Sequence, residues 1–121
     1  MRFLCLIHVD PELIGQITPE EDAKLQLDNY EADQALMRSG KLITAGPLED
    51  REKATLIRSR DGEVTVTDGP YVETKEHLGG FMLIEAESRE EAIKIASGSM
   101  EKYGTLELRA TWELPDPRKA G

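Results

Sequence analysis

A chain of 121 residues has the length of one domain and leaves no room for two independent hydrophobic cores. Apolar residues make up 39% of it and charged residues 32%, a balance typical of a soluble globular protein and too apolar for a disordered one. The formal net charge of −9 repels a phosphate backbone and no cluster of Lys and Arg offsets it, so we expect no nucleic-acid binding.

Cys5 is the only cysteine, so the chain can form neither an internal disulfide nor a cysteine-based metal site. It lies in the apolar run 3–7, where a buried and inert thiol is expected rather than a nucleophile. The same run is too short for the core of a signal peptide or for a membrane span. We therefore expect a cytoplasmic protein that does not associate with membranes.

The first elements predicted in chain order are a strand and a long helix. Residues 2–9 are apolar without alternation, which is typical of a central strand covered on both faces. After a loop at 10–16, the run 18–21 combines a Thr N-cap, a proline at the first helical position and a glutamate at the third. The predicted helix runs to about Ser39 and ends at Gly40. The apolar residues spaced to share its packed face are Ala23, Leu27, Tyr30 and Met37.

Five more strands and a second helix follow. The strands are predicted from apolar or alternating runs at 41–48, 54–60, 63–67, 81–87 and 106–114. The Asp61-Gly62 pair is the typical two-residue connection of a β-hairpin. Residues 88–91 repeat the capping-box pattern and begin the second helix, which Gly98 is expected to close.

The order of these elements predicts the fold class. A β-α-β unit, a hairpin insert and a second β-α-β unit make up the split βαβ, or ferredoxin-like, α+β pattern. Its antiparallel sheet carries two helices on one face. We predict one domain over residues 1–114 and a loose polar tail over 115–121.

The second face of the sheet also needs cover. Residues 2–9 and 81–86 are apolar on both faces, whereas the two helices cover only one. We expect a homodimer whose sheets face one another and leave a cavity between them. The alternative is that the chain's own loops, 47–53 and 68–80, cover this face.

The segment 68–81, DGPYVETKEHLGGF, concentrates turn-forming and ionisable residues. Its first three residues are typical of a turn, and Gly79-Gly80 permits a close backbone approach or a bulge before the next strand. These features alone describe a structural loop, but its other side chains also supply donors, acceptors and a group that titrates near neutral pH. The ligand-binding candidates in the segment are Tyr71, Thr74, Lys75, Glu76, His77 and Phe81.

Two further residues are catalytic candidates. His8 lies at the end of the predicted central strand and Asp68 at the end of another, so neighbouring strands would make them an acid–base pair. The alternative is a hydrogen-bonded core histidine. The two histidines at 8 and 77 do not form an H-x-x-x-H group, and no phosphate-binding glycine loop or G-x-S-x-G turn is present. We therefore predict no metal site and no cofactor.

Residues 68–76 followed by 78–81 closely resemble the D-G-P-F motif group of the YCII-related proteins. The pattern there is D-G-P-F-x-E-T-K-E-x-x-G-G-[FY], and Tyr71 replaces its first Phe. The likeness extends to GKLITAGPL at 40–48 and covers essentially residues 1–114. It implies a ferredoxin-like dimeric α+β barrel with a cleft between the sheet and the loops.

The resemblance also bears on function. In simpler YCII-like relatives a His–Asp pair has been proposed as catalytic, with the histidine on the first helix. Asn29 lies where that histidine would be and Arg38 where its acidic partner would be, so the dyad is absent. Relatives are also associated with alternative sigma factors of the extracytoplasmic-function type, which implies a regulatory context.

Three interpretations stay open. The first is small-molecule binding or catalysis in a barrel cavity bordered by residues 68–81, with Asp68 paired to His8 or His77 and Lys75 holding an anionic group. The second is a non-catalytic regulatory protein whose protein partner acts in transcription. In the third, Glu73, Lys75 and Glu76 form ion pairs that tie the loop to a second subunit.

Overall fold

The computed structural model describes residues 1–98 and 100–119. The strands are β1 (Arg2–Val9), β2 (Leu42–Pro47), β3 (Thr55–Arg60), β4 (Glu63–Asp68), β5 (His77–Glu85) and β6 (Gly104–Ala110). The α-helices are α1 (Pro11–Ile14), α2 (Pro19–Arg38) and α3 (Arg89–Ala96). Short 3₁₀ helices lie at Arg51–Lys53, Met100–Tyr103 and Pro117–Lys119.

The main sheet has the order β2-β5-β1-β6, and every neighbouring pair is antiparallel. The two inner strands β1 and β5 belong to the two β-α-β units, so the predicted ferredoxin-like α+β fold is confirmed. Strands β3 and β4 form a separate two-stranded sheet. Its turn has positive φ at Asp61 (53°) and Gly62 (81°), as a two-residue hairpin requires, so the hairpin insert is confirmed.

The hydrophobic core lies on one face of the main sheet. Phe3 of β1 and Ile84 of β5 are opposite each other in the register and completely buried. Ala92 of α3 is buried in the same cluster, and Leu36 of α2 packs against it. Both helices therefore cover this face, as expected from the element order.

Helix α2 begins as predicted but packs with a different face. Thr18 Oγ1 accepts from the Glu21 amide at 3.1 Å, and the Thr18 amide donates to Glu21 Oε1 at 3.0 Å, which completes the capping box. The prediction that Leu27 and Tyr30 pack inward is wrong, because these side chains are 55% and 63% exposed. The residues of α2 that are half-buried instead are Asp22, Leu25, Asn29, Asp33, Gln34 and Leu36.

Two segments predicted as loop are regular structure. The loop 10–16 contains α1, which Asp10 caps by accepting from the Glu12 amide at 2.9 Å, with Pro11 at the first helical position. Strand β5 begins at His77, four residues before the predicted start at Phe81. The glycine pair 79–80 is therefore part of the strand, where the register against β1 shifts between Ile7 and His8.

The last strand is shorter than predicted. It ends at Ala110, opposite Phe3, and only the Thr111 amide continues the ladder by donating to Arg2 at 2.9 Å. Because β1 begins at Arg2, residues 112–114 have no strand to pair with, and Trp112 is 86% exposed. In the tail, Asp116 accepts hydrogen bonds from Arg118, and the last two tail residues, 120 and 121, lie outside the described part.

Candidate functional site

A cavity of about 670 Å³ lies between the helices and the main sheet. This volume is within the range of small-molecule sites. Its walls come from α2, from the end of α3 and from β1, β2, β5 and β6. The apolar residues that line it include Ile7, Val9, Leu36, Ala45, Phe81, Met82, Ile95 and Leu106.

Two glycines of β5 leave space on the side of the cavity that the sheet forms. Gly80 is buried opposite Ile7 of β1 and Pro47 of β2, on the face that the helices cover. A Cβ atom at Gly80 would lie 3.0 Å from the Gly46 carbonyl oxygen, and one at Gly79 would lie 2.8 Å from Val9 Cγ2. A side chain at Gly80 would therefore press against the backbone of β2 and one at Gly79 against the Val9 side chain, and their absence leaves space under α2.

Two polar residues of α2 point toward this space. Asn29 and Asp33 are separated by one helical turn, so they lie one above the other on the half-buried face. The Asn29 amide nitrogen donates to Met100 Sδ at 3.5 Å. Burial raises the pKa of the Asp33 carboxyl group, because desolvation penalises its charged form.

Charge in the cavity comes from Asp33. Within the part of the chain that the structure describes, no lysine, arginine or histidine lines the cavity, and Asp33 is the one acidic residue that does. Ser97 Oγ also borders it but donates its proton to the Ile93 carbonyl at 2.6 Å. The one ionised group in the described lining is therefore an acceptor, beside the neutral polar side chains of Gln26, Asn29 and Tyr30.

The predicted catalytic pair is not assembled in this chain. Asp68 ends β4, which pairs with β3 in the hairpin sheet, whereas His8 is in the main sheet. The expectation that these two residues lie on neighbouring strands is therefore wrong, since the hairpin forms its own sheet. His8 Nε2 instead lies 2.9 Å from Glu107 Oε1, on the sheet face opposite the core. A catalytic role for either residue stays a prediction.

The charged loop 70–76 is held by its own chain. Lys75 Nζ lies 3.6 Å from Asp10 Oδ2 and 3.7 Å from Glu12 Oε2. Arg51 Nη1 donates to the Thr74 carbonyl at 2.6 Å, and Thr74 Oγ1 donates to the carbonyl of Glu76. These contacts bind the loop to the end of β1 and to the segment before β3.

The ligand-binding candidates divide between two places. Phe81 is part of the cavity lining, as are the glycines 79 and 80, although the register with Leu6 directs its side chain to the opposite face of the sheet. The other candidates lie outside its lining: Tyr71, Thr74, Lys75, Glu76 and His77. Tyr71 is 80% exposed, and His77 is opposite Val9 in the ladder of β5 and β1. The segment 68–81 therefore borders the cavity with its glycine-rich end only.

The cavity differs from the one expected between two facing sheets. It is formed within one chain, on the face that the helices cover, and a space between subunits would be a separate one. Asp33 is not among the site residues predicted from the sequence. The helical spacing of Leu25, Asn29 and Leu36 could have indicated it, because Asp33 shares their inward face. Arg38 is exposed and does not line this cavity, so it does not act as a partner of Asn29 there.

Residues 1–98 and 100–119 contain no group of three or more His, Cys, Asp or Glu side chains arranged to hold a metal ion. No helix in this part of the chain is both long and apolar enough to cross a membrane.

Comparisons with known proteins place these features in a family. The profile of the YCII-related domain matches residues 1–113. An uncharacterised protein of Rhizobium meliloti strain 1021 is 32% identical over 112 residues, which cover 90% of each chain. A solved structure, 5-chloro-2-hydroxyhydroquinone dehydrochlorinase of Burkholderia phenoliruptrix AC1100 in complex with 2,5-dihydroxybenzoquinone, covers 93% of this chain and 94% of its own. It is 19% identical to this chain, with a TM-score of 0.45.

Proposed function

This chain belongs to the YCII-related family, and we propose that it binds a small molecule in the cavity between α2 and the main sheet. Membership of the D-G-P-F motif group is part of the same proposal, carried by residues 68–81. The observation that carries the proposed function is the pair Asn29 and Asp33, which points polar groups into a mainly apolar cavity.

The Asp33 carboxylate is costly if it serves only the fold. A carboxylate loses hydration when it is partly buried, and apolar side chains at positions 29 and 33 would fill the space against the sheet. A binding site accounts for both features, because ligand pockets combine apolar walls with a few converging polar groups.

The same carboxyl group is a candidate for proton transfer. Burial raises the pKa of Asp33, which brings its proton affinity closer to that of a useful general base. We propose Asp33 for this role if the bound molecule is also transformed. Asp68 and His8 are the alternative pair, and they require a rearrangement or a second subunit to meet.

Native mass spectrometry of gently purified protein tests the proposal. We expect the wild type to retain a small molecule and Asp33→Leu, which removes the carboxylate and fills space, to lose it. Asp68→Asn is the matched control, because Asp68 does not line the cavity. Loss of the molecule in Asp68→Asn but not in Asp33→Leu would contradict the proposal and return the site to the segment 68–81.

Homodimerisation is a further part of the proposal. The sheet face opposite the core carries Leu4, Leu6, Phe81 and Leu83, which are only half-buried in one chain. An isologous contact between two such faces would bury them and form a dimeric α+β barrel. A single mass equal to one chain in the native spectrum would contradict it.

A second candidate is a regulatory protein that acts through a protein partner, as the association of relatives with sigma factors implies. The observation that favours it is the outward face of α2, where Leu27 and Met37 are exposed. A purified complex that Leu27→Glu abolishes and Asp33→Leu leaves intact would support this candidate. A complex that only the cavity variant disrupts would count against it.

A further inference from the structure

We infer that the ligand of this cavity is an uncharged or cationic molecule with an apolar body and a hydrogen-bond donor directed at Asp33, and that anions are rejected. The inference rests on the proposed function, since it names the chemical class of the molecule bound at that site. It differs from the expectation from sequence, in which Lys75 holds an anionic group.

The charges around the cavity are the first support. Asp33 is the one acidic side chain in its lining, and the described lining residues include no cation to balance it. The cationic candidate Lys75 lies outside the lining and is paired with Asp10 and Glu12. The whole chain carries a net charge of −9, which adds to the repulsion of an anion.

The hydrogen-bonding groups are the second support. An ionised carboxylate such as Asp33 can only accept hydrogen bonds. The Ser97 hydroxyl donates its proton to the Ile93 carbonyl, so toward the cavity its oxygen can act only as an acceptor. A ligand that satisfies these atoms must bring donors, such as an ammonium, amide or hydroxyl group.

The apolar lining defines the rest of the molecule. Ile7, Met82 and Leu106 lie on three neighbouring strands and form a continuous apolar floor, and Leu36 of α2 lies above it. A volume of about 670 Å³ accommodates a body larger than a single ring. The expected ligand class is therefore an apolar body of more than one ring with a short polar donor group.

Three probes of nearly equal size test this class: 2-naphthylmethylamine, 2-naphthalenemethanol and 2-naphthoate. Their dissociation constants are measured by calorimetry at neutral pH and physiological ionic strength, which limits non-specific attraction to the acidic surface. We expect the amine and the alcohol to bind at least about ten-fold more tightly than the carboxylate, since like charges disfavour binding in a partly desolvated site.

Asp33→Asn should reduce the difference between amine and carboxylate to within about three-fold, because it removes the charge that discriminates between them. Asp28→Asn is the matched control: it is the same change on the same helix, at an exposed residue that pairs with Lys24 at 2.9 Å. Its selectivity should equal that of the wild type. Asn29→Asp gives an independent test, since a second carboxylate in the cavity should increase the preference for the amine.

The outcomes separate the two proposals. If 2-naphthoate binds as tightly as the amine, or if Asp33→Asn leaves the selectivity unchanged, the inference about ligand class is overturned while the proposed binding function stands. If none of the three probes binds, the proposed function itself is contradicted and the inference is lost with it.

Discussion

Replacing Asp33 with asparagine should stabilise the folded protein at neutral pH. Burial raises the pKa of this carboxyl group above the value of 3.8 that is taken for an unperturbed aspartate. The folded chain therefore binds this proton more tightly than the unfolded chain does. As the pH rises from 3.8 through the raised folded pKa, the free energy of unfolding falls, and the penalty is constant above that range. Asparagine has no proton to lose and escapes the penalty.

The structure limits the size of this effect. Asp33 is only half-buried, so solvent screens much of the cost of its charge. We expect Asp33→Asn to raise the free energy of unfolding by a few tenths of a kcal/mol, roughly 0.3–0.5 kcal/mol. For a domain of this size, that corresponds to an increase in Tm of about 1–2 °C.

Urea unfolding of the wild type, Asp33→Asn and Asp28→Asn, measured across the acid and neutral range, provides the assay. The control makes the same change in net charge but breaks the ion pair with Lys24, so it should lose a few tenths of a kcal/mol rather than gain them. The advantage of Asp33→Asn should disappear below about pH 3.8. A loss of 1 kcal/mol or more in Asp33→Asn at neutral pH would refute the reasoning, since the carboxylate would then hold the fold together.

Two further pairs of variants test the loop contacts and the sheet. Lys75→Ala should lower the free energy of unfolding by no more than about 1 kcal/mol, because its ammonium is exposed and its ion pairs are long. Asp10→Ala should lower it by about 1 kcal/mol more, because this change also removes a helix cap. Equal losses for the two variants in urea unfolding would contradict this prediction. Gly104→Ala should destabilise by roughly 1–3 kcal/mol, since its Cβ would overlap the His8 carbonyl oxygen. A Cβ atom at Gly98 would have no atom within 4 Å, so the free energy of unfolding of Gly98→Ala should stay within about 0.5 kcal/mol of the wild-type value. Equal melting temperatures for Gly104→Ala and Gly98→Ala would contradict this prediction.

The parts of the fold that were predictable from the sequence are those whose hydrogen bonds join residues close together in the chain. The capping box of Thr18 and Glu21 and the hairpin turn at Asp61-Gly62 depend on atoms two or three residues apart, and both form as predicted. The ends of β5 and β6 depend on where β1 begins and ends. That information comes from the register between strands and is not contained in the runs themselves.

The site was less predictable because its signal opposes the usual packing rule. Sequence reasoning assigned the large apolar residues Leu27 and Tyr30 to the inner face of α2, whereas the helix turns Asn29 and Asp33 toward the sheet. The segment 68–81 has a concentrated motif, yet the Lys75 ammonium contacts acidic groups of its own chain. A dense cluster of ionisable residues therefore does not by itself locate a cavity.

The most direct test of the central claim is an amide chemical-shift titration by NMR with 2-naphthalenemethanol. Binding in the cavity between α2 and the sheet should shift the amides of Asn29, Asp33 and Gly80, which line it on both sides. The amides of residues 71–76 should stay unchanged, because that loop lies outside the lining. Shifts confined to residues 71–76, or no shifts at a saturating concentration of the probe, would contradict the account.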